Sequence, residues 1–314
     1  VIDIRLDYGE RPYCWVSNEG TKERVFLVND GPGVVTKVDR ELLESITSKL
    51  RFRGDNRAGF DRELHRVSAI RNTDDTIIGL TMRIGRTYEN NSYLIDDLLF
   101  QQPERGQSPS ILILGRPGCG KTTIIRDIAR KLSISNYSHN NNVWVIDTSN
   151  EIGGDGDIKH SSLGLASRMM IPTGSSQKEV MVECLQNHTP DVIIIDEIGR
   201  KEEVQAAKTV KERDVRLIAS AHGDFESLMR NPDLVGLIGG LQTVTLGDAA
   251  SKAENDGRKT KTERGGSPIF DVIIELKPRE FNTWTIIEDT KTAVDCILSN
   301  KSYKVQRRHR NPDS

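Results

Sequence analysis

One string, GRPGCGKT from Gly115 to Thr122, constrains the fold of this 314-residue chain more than any other feature. The apolar run ILIL precedes it, and an amphipathic stretch, KTTIIRDIARKL, begins within it. Gly118 and Gly120 allow a tight turn between a buried strand and a helix. In such a turn, successive N–H groups and the positive end of the helix favour a phosphate group. The string therefore predicts an α/β domain with a phosphate-binding loop.

Alternating apolar and amphipathic stretches indicate how this domain is built. From Ser110 onward, apolar runs such as VWVIDTS and DVIIIDE are separated by stretches with helical spacing. This alternation is typical of a parallel sheet with helices on both faces, which is a three-layer α/β/α core. After about Leu241, the runs QTVTL, FDVIIEL and TWTIIED surround a charged segment, 251–266. They predict terminal antiparallel strands around a loop.

The residues before the loop show a different pattern of apolar and polar residues. Short β-branched runs such as RVFLV and TIIGLTMRI alternate with turn-forming residues, which predicts a small α+β domain. The stretch ELLESITSKL predicts one helix with Asp39 as its N-cap. Proline and glycine in a polar stretch indicate a linker. We therefore expect an amino-terminal α+β domain over 1–100, the linker over 101–109, a P-loop core over 110–290 and a basic carboxyl-terminal tail over 291–314. From Lys301 this tail is expected either to end unstructured or to continue into further residues.

Two side chains of the loop have the chemistry that a nucleoside triphosphate and its metal require. Lys121 can neutralise the β- and γ-phosphates, and the Thr122 hydroxyl can complete the coordination of Mg²⁺. Thr123 is a weaker contact on the helix. Cys119 has no base paired with it in the sequence, so a small tolerated side chain explains it better than a nucleophile. A plain glycine turn is the alternative, but the flanking strand and helix favour the phosphate site.

A second acidic element follows the apolar run VIII. Asp196 and Glu197 come at the end of this predicted strand, where parallel sheets hold their ligands. Asp196 is expected to hold Mg²⁺, directly or through water, and Glu197 to orient and deprotonate the attacking water. A helix cap is the alternative. The separation from Lys121, with one further predicted strand between, favours the catalytic interpretation.

The next predicted strand, VRLIASA, ends at His222, beside the same edge of the sheet. A polar side chain there can donate to the γ-phosphate or to the attacking water, and can report hydrolysis by moving the following helix. The alternative interpretation is a helix-capping turn with Asp224 as the cap. The position favours a sensor role for His222.

Weaker candidates lie elsewhere in the chain. Glu151, in the string DTSNEIGGDGD, either supports the metal and the water or belongs to a solvated turn. Arg83 and Arg86 lie on or just after a predicted amino-terminal strand. Arginine suits the γ-phosphate charge of a transition state, although most arginines only solvate a surface. Arg168 and Arg200 are weaker still.

Composition limits the classes of partner. The chain has 44 basic and 46 acidic residues and a formal net charge of -2, so a nucleic acid would need a local patch. The four cysteines are widely separated, which fits a reducing compartment. No apolar run approaches the roughly 20 residues of a membrane span, so we expect a soluble protein. The chain begins without methionine, and a targeting peptide would then be missing from it.

Several longer strings carry a family resemblance. They include RGDNRAGFDRELHRVSAIRN, LGRPGCGKTT, VIDTSNEIGGDGDI and GGLQTVTLGD, and they extend from about Arg53 to Asp248. In these strings the chain resembles the conserved chloroplast-reading-frame ATPases of plastids and cyanobacteria. That family is related to the sporulation stage III AA protein and, more distantly, to secretion-system ATPases.

The resemblance implies a RecA-like core, ATP and Mg²⁺ as ligands, a ring-shaped homo-oligomer for which a hexamer is favoured, and a plastid stroma or cyanobacterial-type cytoplasm. It raises the expectation that Arg83, Arg86 and His222 approach the γ-phosphate. Relatives often carry a small module for single-stranded nucleic acid after the core, and this chain ends without one. The complete set of predicted site residues is Arg83, Arg86, Gly115, Arg116, Pro117, Gly118, Cys119, Gly120, Lys121, Thr122, Thr123, Glu151, Asp196, Glu197 and His222.

Three functions remain open from the sequence. The first is an oligomeric ATPase that moves or remodels a protein or an assembly. The second is a nucleic-acid motor, for which the short basic clusters at 259–264 and 307–310 are the hints. The third is a nucleotide switch that binds ATP and hydrolyses it negligibly, against which Glu197 argues.

Overall fold

The chain folds into two compact units. In this computed structural model the first consists of Val1–Tyr88 and Asn150–Leu163, and the second of Glu89–Ser149 and Gly164–Ser314. We call them the amino-terminal unit and the core unit. The structure describes residues 1–18, 21–27, 37–100, 108–134, 141–245 and 260–310.

The amino-terminal unit is built on a six-stranded antiparallel sheet with the order β3-β2-β1-β6-β5-β4. A 3-10 helix, Ser161–Leu163, lies in its second segment. The other elements are β1 (Asp3–Asp7), β2 (Tyr13–Asn18), β3 (Thr21–Phe26), α1 (Arg40–Thr47), β4 (Arg57–Gly59), β5 (Arg66–Arg71) and β6 (Ile77–Arg83).

One face of this sheet is apolar and packs against helix α1. Leu6, Val67 and Leu80 lie on that face and form one buried cluster with Leu43 of α1. The helix begins as the sequence predicts, because the Asp39 side chain accepts a hydrogen bond of 2.8 Å from the backbone N–H of Leu42. The opposite face, which we call the polar face, carries charged and polar side chains together with Tyr13, Trp15 and Phe26.

The core unit contains an eight-stranded sheet with the order β16-β15-β14-β7-β11-β10-β8-β9 and a separate pair, β12-β13. Strands β14 to β9 in this order run parallel, and β15 and β16 run antiparallel. Its 3-10 helices are Tyr93–Ile95 and Val235–Ile238. The other elements are α2 (Asp96–Leu99), β7 (Ile111–Gly115), α3 (Lys121–Ile134), β8 (Val143–Asp147), β9 (Ser167–Met170), α4 (Gln177–Asn187), β10 (Val192–Ile195), α5 (Lys201–Lys211), β11 (Arg216–Ala221), α6 (Phe225–Arg230), β12 (Leu241–Thr245), β13 (Thr260–Arg264), β14 (Val272–Leu276), β15 (Thr283–Ile287), α7 (Thr290–Leu298) and β16 (Gln306–His309).

Both faces of the central strands are buried, which gives the predicted three layers. Ile193 and Ile195 of β10 pack in one cluster with Met181 of α4 and Ala207 of α5. Ile194, whose side chain points to the other face, is equally inaccessible to water. Helix α3 contacts β7, β8 and β11. The runs ILIL and VIII are continuous because a parallel sheet with two covered faces needs apolar residues at every position.

Strand order brings three strand ends together at one edge of the core sheet. Strand β11 lies between β7, which leads into the glycine-rich loop before α3, and β10, which leads into Asp196 and Glu197. His222 directly follows β11. Because parallel strands end at the same edge, these residues meet in the crevice where open α/β sheets bind ligands.

The carboxyl-terminal residues correct the expectation of an unstructured tail. Residues 306–309 form β16, which pairs with β15 at the edge of the core sheet. Arg308 donates to the carboxylates of Asp97 and Glu288, and Arg310 to Asn91. The basic side chains therefore contact acidic and polar groups of the same unit.

Two further segments group differently from the sequence expectation. Residues 89–100, placed in the amino-terminal domain, belong to the core unit, where Asp127 of α3 accepts hydrogen bonds from Asn90 and Ser92. Residues 150–163, placed in the core, belong to the amino-terminal unit. Residues 101–107 of the expected linker, and 251–259 of the charged loop, lie outside the described residues.

Candidate active site

The loop after β7 has the backbone that its glycines suggest. Gly118 and Gly120 have φ values of 80° and 90°, in the left-handed region that favours glycine. No atom lies within 4 Å of where a Cβ would sit at either position, so conformation rather than space calls for glycine. Helix α3 begins at Lys121, directly after the loop. Its unpaired first N–H groups and its positive end are therefore available to an anion.

Lys121 is buried at the base of this loop, with 8% of its surface exposed. Its Nζ donates to the carbonyl oxygens of Gly115 at 2.6 Å and Arg116 at 3.3 Å, and lies 3.5 Å from Nδ1 of His222. Burial lowers the pKa of the ammonium, against the opposing charges of Glu197, Cys119 and Asp196. Because burial takes water away from the ammonium, the negative charge of a triphosphate would stabilise its protonated form.

Asp196 and Glu197 are held by neighbouring side chains after β10. Asp196 is buried, and its Oδ2 accepts a hydrogen bond of 2.6 Å from Ser149 Oγ. The hydroxyl of Ser220 donates to its carbonyl oxygen. The carbonyl oxygen of Glu197 accepts from Gln177 Nε2 at 2.8 Å, while its side chain is 42% exposed. Asp196 is thus fixed, and the carboxylate of Glu197 is accessible to water.

His222 links Lys121 and Glu197. Its Nε2 lies 2.9 Å from Oε1 of Glu197, and its Nδ1 faces the ammonium. The helix-capping turn that the sequence offered as the alternative is present, because Asp224 accepts a 2.8 Å hydrogen bond from the N–H of Ser227 at the start of α6. The sensor role of His222 stays a prediction. The two interpretations are therefore compatible: Asp224 fixes the turn, and His222 points at the two charged side chains.

The residues present fit a nucleotide with Mg²⁺. Within the part of the chain that the structure describes, no group of three or more His, Cys, Asp or Glu could hold a metal ion by itself. Mg²⁺ does not need such a group, because it keeps several waters and takes phosphate oxygens as ligands beside one or two protein oxygens. Thr122, in the first turn of α3, and Asp196, at the end of β10, are the oxygen donors that could hold it.

Other predicted site residues lie in the amino-terminal unit. Arg83 ends β6 with an exposed side chain, and Arg86 donates from Nη2 to the carbonyl oxygen of Val1 at 3.1 Å. Glu151 lies 3.4 Å from Arg66 in the same unit. Their roles at a γ-phosphate, water or metal stay predictions. In the core unit, the weaker candidate Arg168 lies in β9, and Arg200 precedes α5.

The sequence did not indicate four polar residues around the acidic pair. Ser149 and Ser220 bind Asp196, and Gln177 binds Glu197 and accepts a hydrogen bond from Thr148. Ser149 stands two residues after β8, so its place at the carboxyl edge of the sheet was a usable signal. No sequence pattern predicts that Gln177 is near the acidic pair, because the packing of α4 brings it there.

The fold is the RecA-like P-loop fold, which this chain shares with the ATPase DotB and with a pilus retraction motor. DotB of Legionella pneumophila superposes with a TM-score of 0.52 at 16% identity, covering 96% of this chain and 80% of that chain. The pilus retraction motor PilT, solved with bound ADP, gives a TM-score of 0.53 at 16% identity, covering 87% and 73%. At this identity the likeness establishes the fold.

The chain belongs to the family described as "Sporulation stage III, protein AA", whose model matches residues 68–245. The ycf45 protein of Porphyra purpurea is 46% identical over 98% of this chain and 51% of its own length. Protein SEEDLING PLASTID DEVELOPMENT 1 of Arabidopsis thaliana is 42% identical over 96% and 41%. The chain thus spans about half the length of these relatives. None of the described helices is long and apolar enough to cross a membrane.

Proposed function

We propose that this chain binds ATP with Mg²⁺ and hydrolyses it. The observation that carries the proposal is the cluster at the sheet edge, where His222 touches both Lys121 and Glu197. A buried ammonium beside a half-exposed carboxylate is the arrangement that phosphoryl transfer to water requires, one group for the phosphates and one for the nucleophile.

Each residue then has a distinct task. The loop amides and Lys121 hold the phosphates, and Thr122 and Asp196 hold the metal, which when bound neutralises phosphate oxygens. Glu197 orients the attacking water and accepts its proton. His222 contacts Glu197 and Lys121 in the structure, so a change at either group moves its ring. We assign it the role of sensor for the γ-phosphate.

We further propose that the protein acts as a ring-forming homo-oligomer, favoured to be a hexamer, that moves or remodels a protein or an assembly. The fold shared with a pilus retraction motor and with DotB supports this proposal. The similarity to ycf45 and to a protein named for seedling plastid development supports a plastid location. Particle images of the purified protein with and without ATP test ring formation, and a monomer under both conditions would contradict it.

The basic clusters give little support to a nucleic-acid motor. Arg308 and Arg310 are bound to Asp97, Glu288 and Asn91, so their charge is satisfied within the core unit. A phosphate backbone would have to compete with these contacts. Lys259 lies outside the described residues.

Turnover of ATP by Glu197→Gln tests the catalytic assignment. We expect hydrolysis to fall by about 10²- to 10⁴-fold, the usual contribution of a general base, with ATP affinity retained. Lys121→Ala should weaken ATP binding by about tenfold or more, since a charge-assisted contact is lost. Glu202→Gln, an exposed glutamate in the first turn of α5, is the matched control and should change neither quantity.

Two outcomes would contradict the proposal. Equal turnover in wild type and Glu197→Gln would remove the catalytic role of that residue. Tight ATP binding by the wild type without measurable hydrolysis would instead make the protein a nucleotide switch.

A further inference from the structure

The polar face of the amino-terminal sheet carries a cluster that ATP hydrolysis does not use. Strand register places Trp15 opposite Arg24 and Tyr13 opposite Phe26, on neighbouring strands β2 and β3. Residues at alternate positions share a face, so these four side chains project from the side of the sheet that helix α1 does not cover. We call them the aromatic face.

The rings and the guanidinium of the aromatic face contact one another. Arg24 Cζ lies 4.7 Å from the ring centroid of Tyr13 and 5.2 Å from that of Trp15. The Tyr13 ring packs edge-on against Trp15 at 6.1 Å and against Phe26 at 6.2 Å. Phe26 is 51% exposed, on the edge strand of the sheet. The half-exposed Phe26 ring and the guanidinium stacked on its neighbours form a surface on which another flat group can stack.

The charge of the surrounding surface is mainly positive. The register of β3, β2, β1 and β6 puts Lys22, Arg5 and Arg83 on the same side as the aromatic face. Two carboxylates, Asp3 and Asp7, share that side, and Asp7 lies 3.6 Å from Arg5. Among the described residues of these four strands, basic side chains on this side therefore outnumber acidic ones by four to two, although the whole chain is slightly acidic.

The other end of the same face is already occupied. Asp155 accepts a hydrogen bond from Arg66 at 3.0 Å, and a Cβ added to Gly59 would lie 2.5 Å from the Cβ of Asp155. The segment 150–163 therefore covers β4 and β5 on the polar side. It leaves the aromatic face, at the β2-β3 end, as the part of this side with rings in contact with solvent.

We propose that the aromatic face binds single-stranded nucleic acid. Unpaired bases stack on aromatic rings and on arginine guanidinium planes, and basic side chains beside them hold the phosphates. The observed set supplies both kinds of contact: Phe26 and the plane of Arg24 for bases, and the exposed ammonium of Lys22 for phosphates. A membrane is less suited, because only Phe26 among the three rings is largely exposed and shallow rings on a flat sheet insert poorly. The proposal does not rest on ATP hydrolysis.

Fluorescence titration of the full chain with 12-nucleotide oligo-dT and oligo-U tests this site. The chain has three tryptophans, of which Trp284 is buried and Trp144 is stacked on His188 at 4.2 Å. Stacking of a base on the face should therefore quench Trp15. Binding should weaken with salt with a slope of at most about −3, for four basic side chains near a single strand.

Variants then locate the site. Phe26→Ala and Trp15→Ala should each weaken binding by about fivefold to a hundredfold, as the loss of one stacking ring does. Tyr8→Ala is the matched control, since Tyr8 is also exposed and stacked on an arginine, Arg40 at 4.8 Å, but stands alone. Trp15→Phe should abolish the quenching of tryptophan fluorescence while keeping the affinity for the oligonucleotide within about twofold. Because this variant keeps an aromatic ring, it separates the loss of a ring from misfolding of the alanine variant.

Four outcomes would overturn the proposal. They are the absence of binding to either oligonucleotide, equal binding to duplex DNA, equal loss of binding in Tyr8→Ala, and binding only to vesicles that contain an anionic phospholipid. Because Phe26 and Trp15 take no part in the proposed ATPase site, failure here leaves the turnover experiment unaffected.

Discussion

The two sheets of this protein expose their chemistry in different places. In the core unit, β10 is buried on both faces, and its polar neighbours Asp196 and Glu197 come only after the strand has ended. In the amino-terminal unit, Leu80 of β6 is buried and the neighbouring Thr81 is half-buried, and the face that carries Thr81 is covered by segment 150–163 only over β4 and β5. The rest of that face is available for contacts. A parallel sheet under two helical layers thus confines a site to its edge, whereas a half-covered antiparallel sheet offers a surface.

The largest expected effect is on the free energy of unfolding, when adjacent residues whose side chains lie on opposite faces of a strand are replaced by alanine. Ile193→Ala and Ile194→Ala should each destabilise the core unit by about 2 to 5 kcal/mol, because both side chains are buried. In the amino-terminal unit, Leu80→Ala should cost the same, but Thr81→Ala only about 1 kcal/mol, the value of the hydrogen bond that it accepts from Arg5. Hydrogen exchange on peptides of each unit measures these changes. Equal costs at 80 and 81 would contradict a one-sided sheet.

A smaller effect is expected at Asp127, which ties residues 90–92 to α3. Asp127→Asn should destabilise the core unit by about 1 to 3 kcal/mol, because charge-assisted hydrogen bonds from Ser92 and Arg130 are lost. Burial acts to raise the pKa of Asp127, but these bonds outweigh it and hold the pKa below its ordinary value of 3.8. The carboxylate therefore contributes stability above that pH, and this contribution is lost as pH falls through the lower, folded pKa.

Chemical denaturation of wild type and Asp127→Asn at several pH values measures this contribution. The difference between the two proteins should be constant near neutral pH and shrink below about pH 3.8. Ser92→Ala, which keeps the bond from the Ser92 backbone, should cost less. If Asp127→Asn destabilised only the amino-terminal unit, residues 89–100 would belong to that unit rather than to the core unit.

The smallest effect concerns the turn that carries His222. Asp224→Ala should cost about 1 kcal/mol, as the loss of an N-cap does. Hydrogen bonds from Ser227 hold the pKa of Asp224 below its ordinary value, so the cap stabilises above that value and fades in acid. Asp224→Asn should retain most of the cap and remove its pH dependence. Thermal unfolding at pH 7 and pH 3 checks both, and an unchanged midpoint for Asp224→Ala would show that the turn is fixed by other contacts.

The sequence was most informative where backbone and chemistry are local. The glycine-rich loop before α3, the acidic pair after β10 and the cap of α1 each depend on a few consecutive residues, which can be recognised in the sequence. The buried strands were equally visible, because a two-sided core needs an unbroken apolar run. These features allowed the fold class and the cluster of Lys121, Glu197 and His222 to be predicted.

Contacts between distant residues were not visible. The ion pair of Arg66 with Asp155 joins positions 89 residues apart and draws the segment 150–163 into the amino-terminal unit. The residues of β16, QRRH, have the composition of a solvated tail, and their strand depends on pairing with β15 and on the partners of Arg308. Stacking of Arg24 on Tyr13 and Trp15 likewise needed the register of two strands. Periodicity carries no information on such partners.

The return of the chain to the amino-terminal unit at residues 150–163 affects how the protein can be made. When residues 1–88 have emerged from the ribosome, the segment that contains Asp155, the partner of Arg66, has not yet been translated. That unit must wait for β7, α3 and β8 to emerge before its last piece arrives. Synthesis from one end therefore cannot complete the units one after the other, and a protein cut after residue 100 would lack part of the unit that it was meant to isolate.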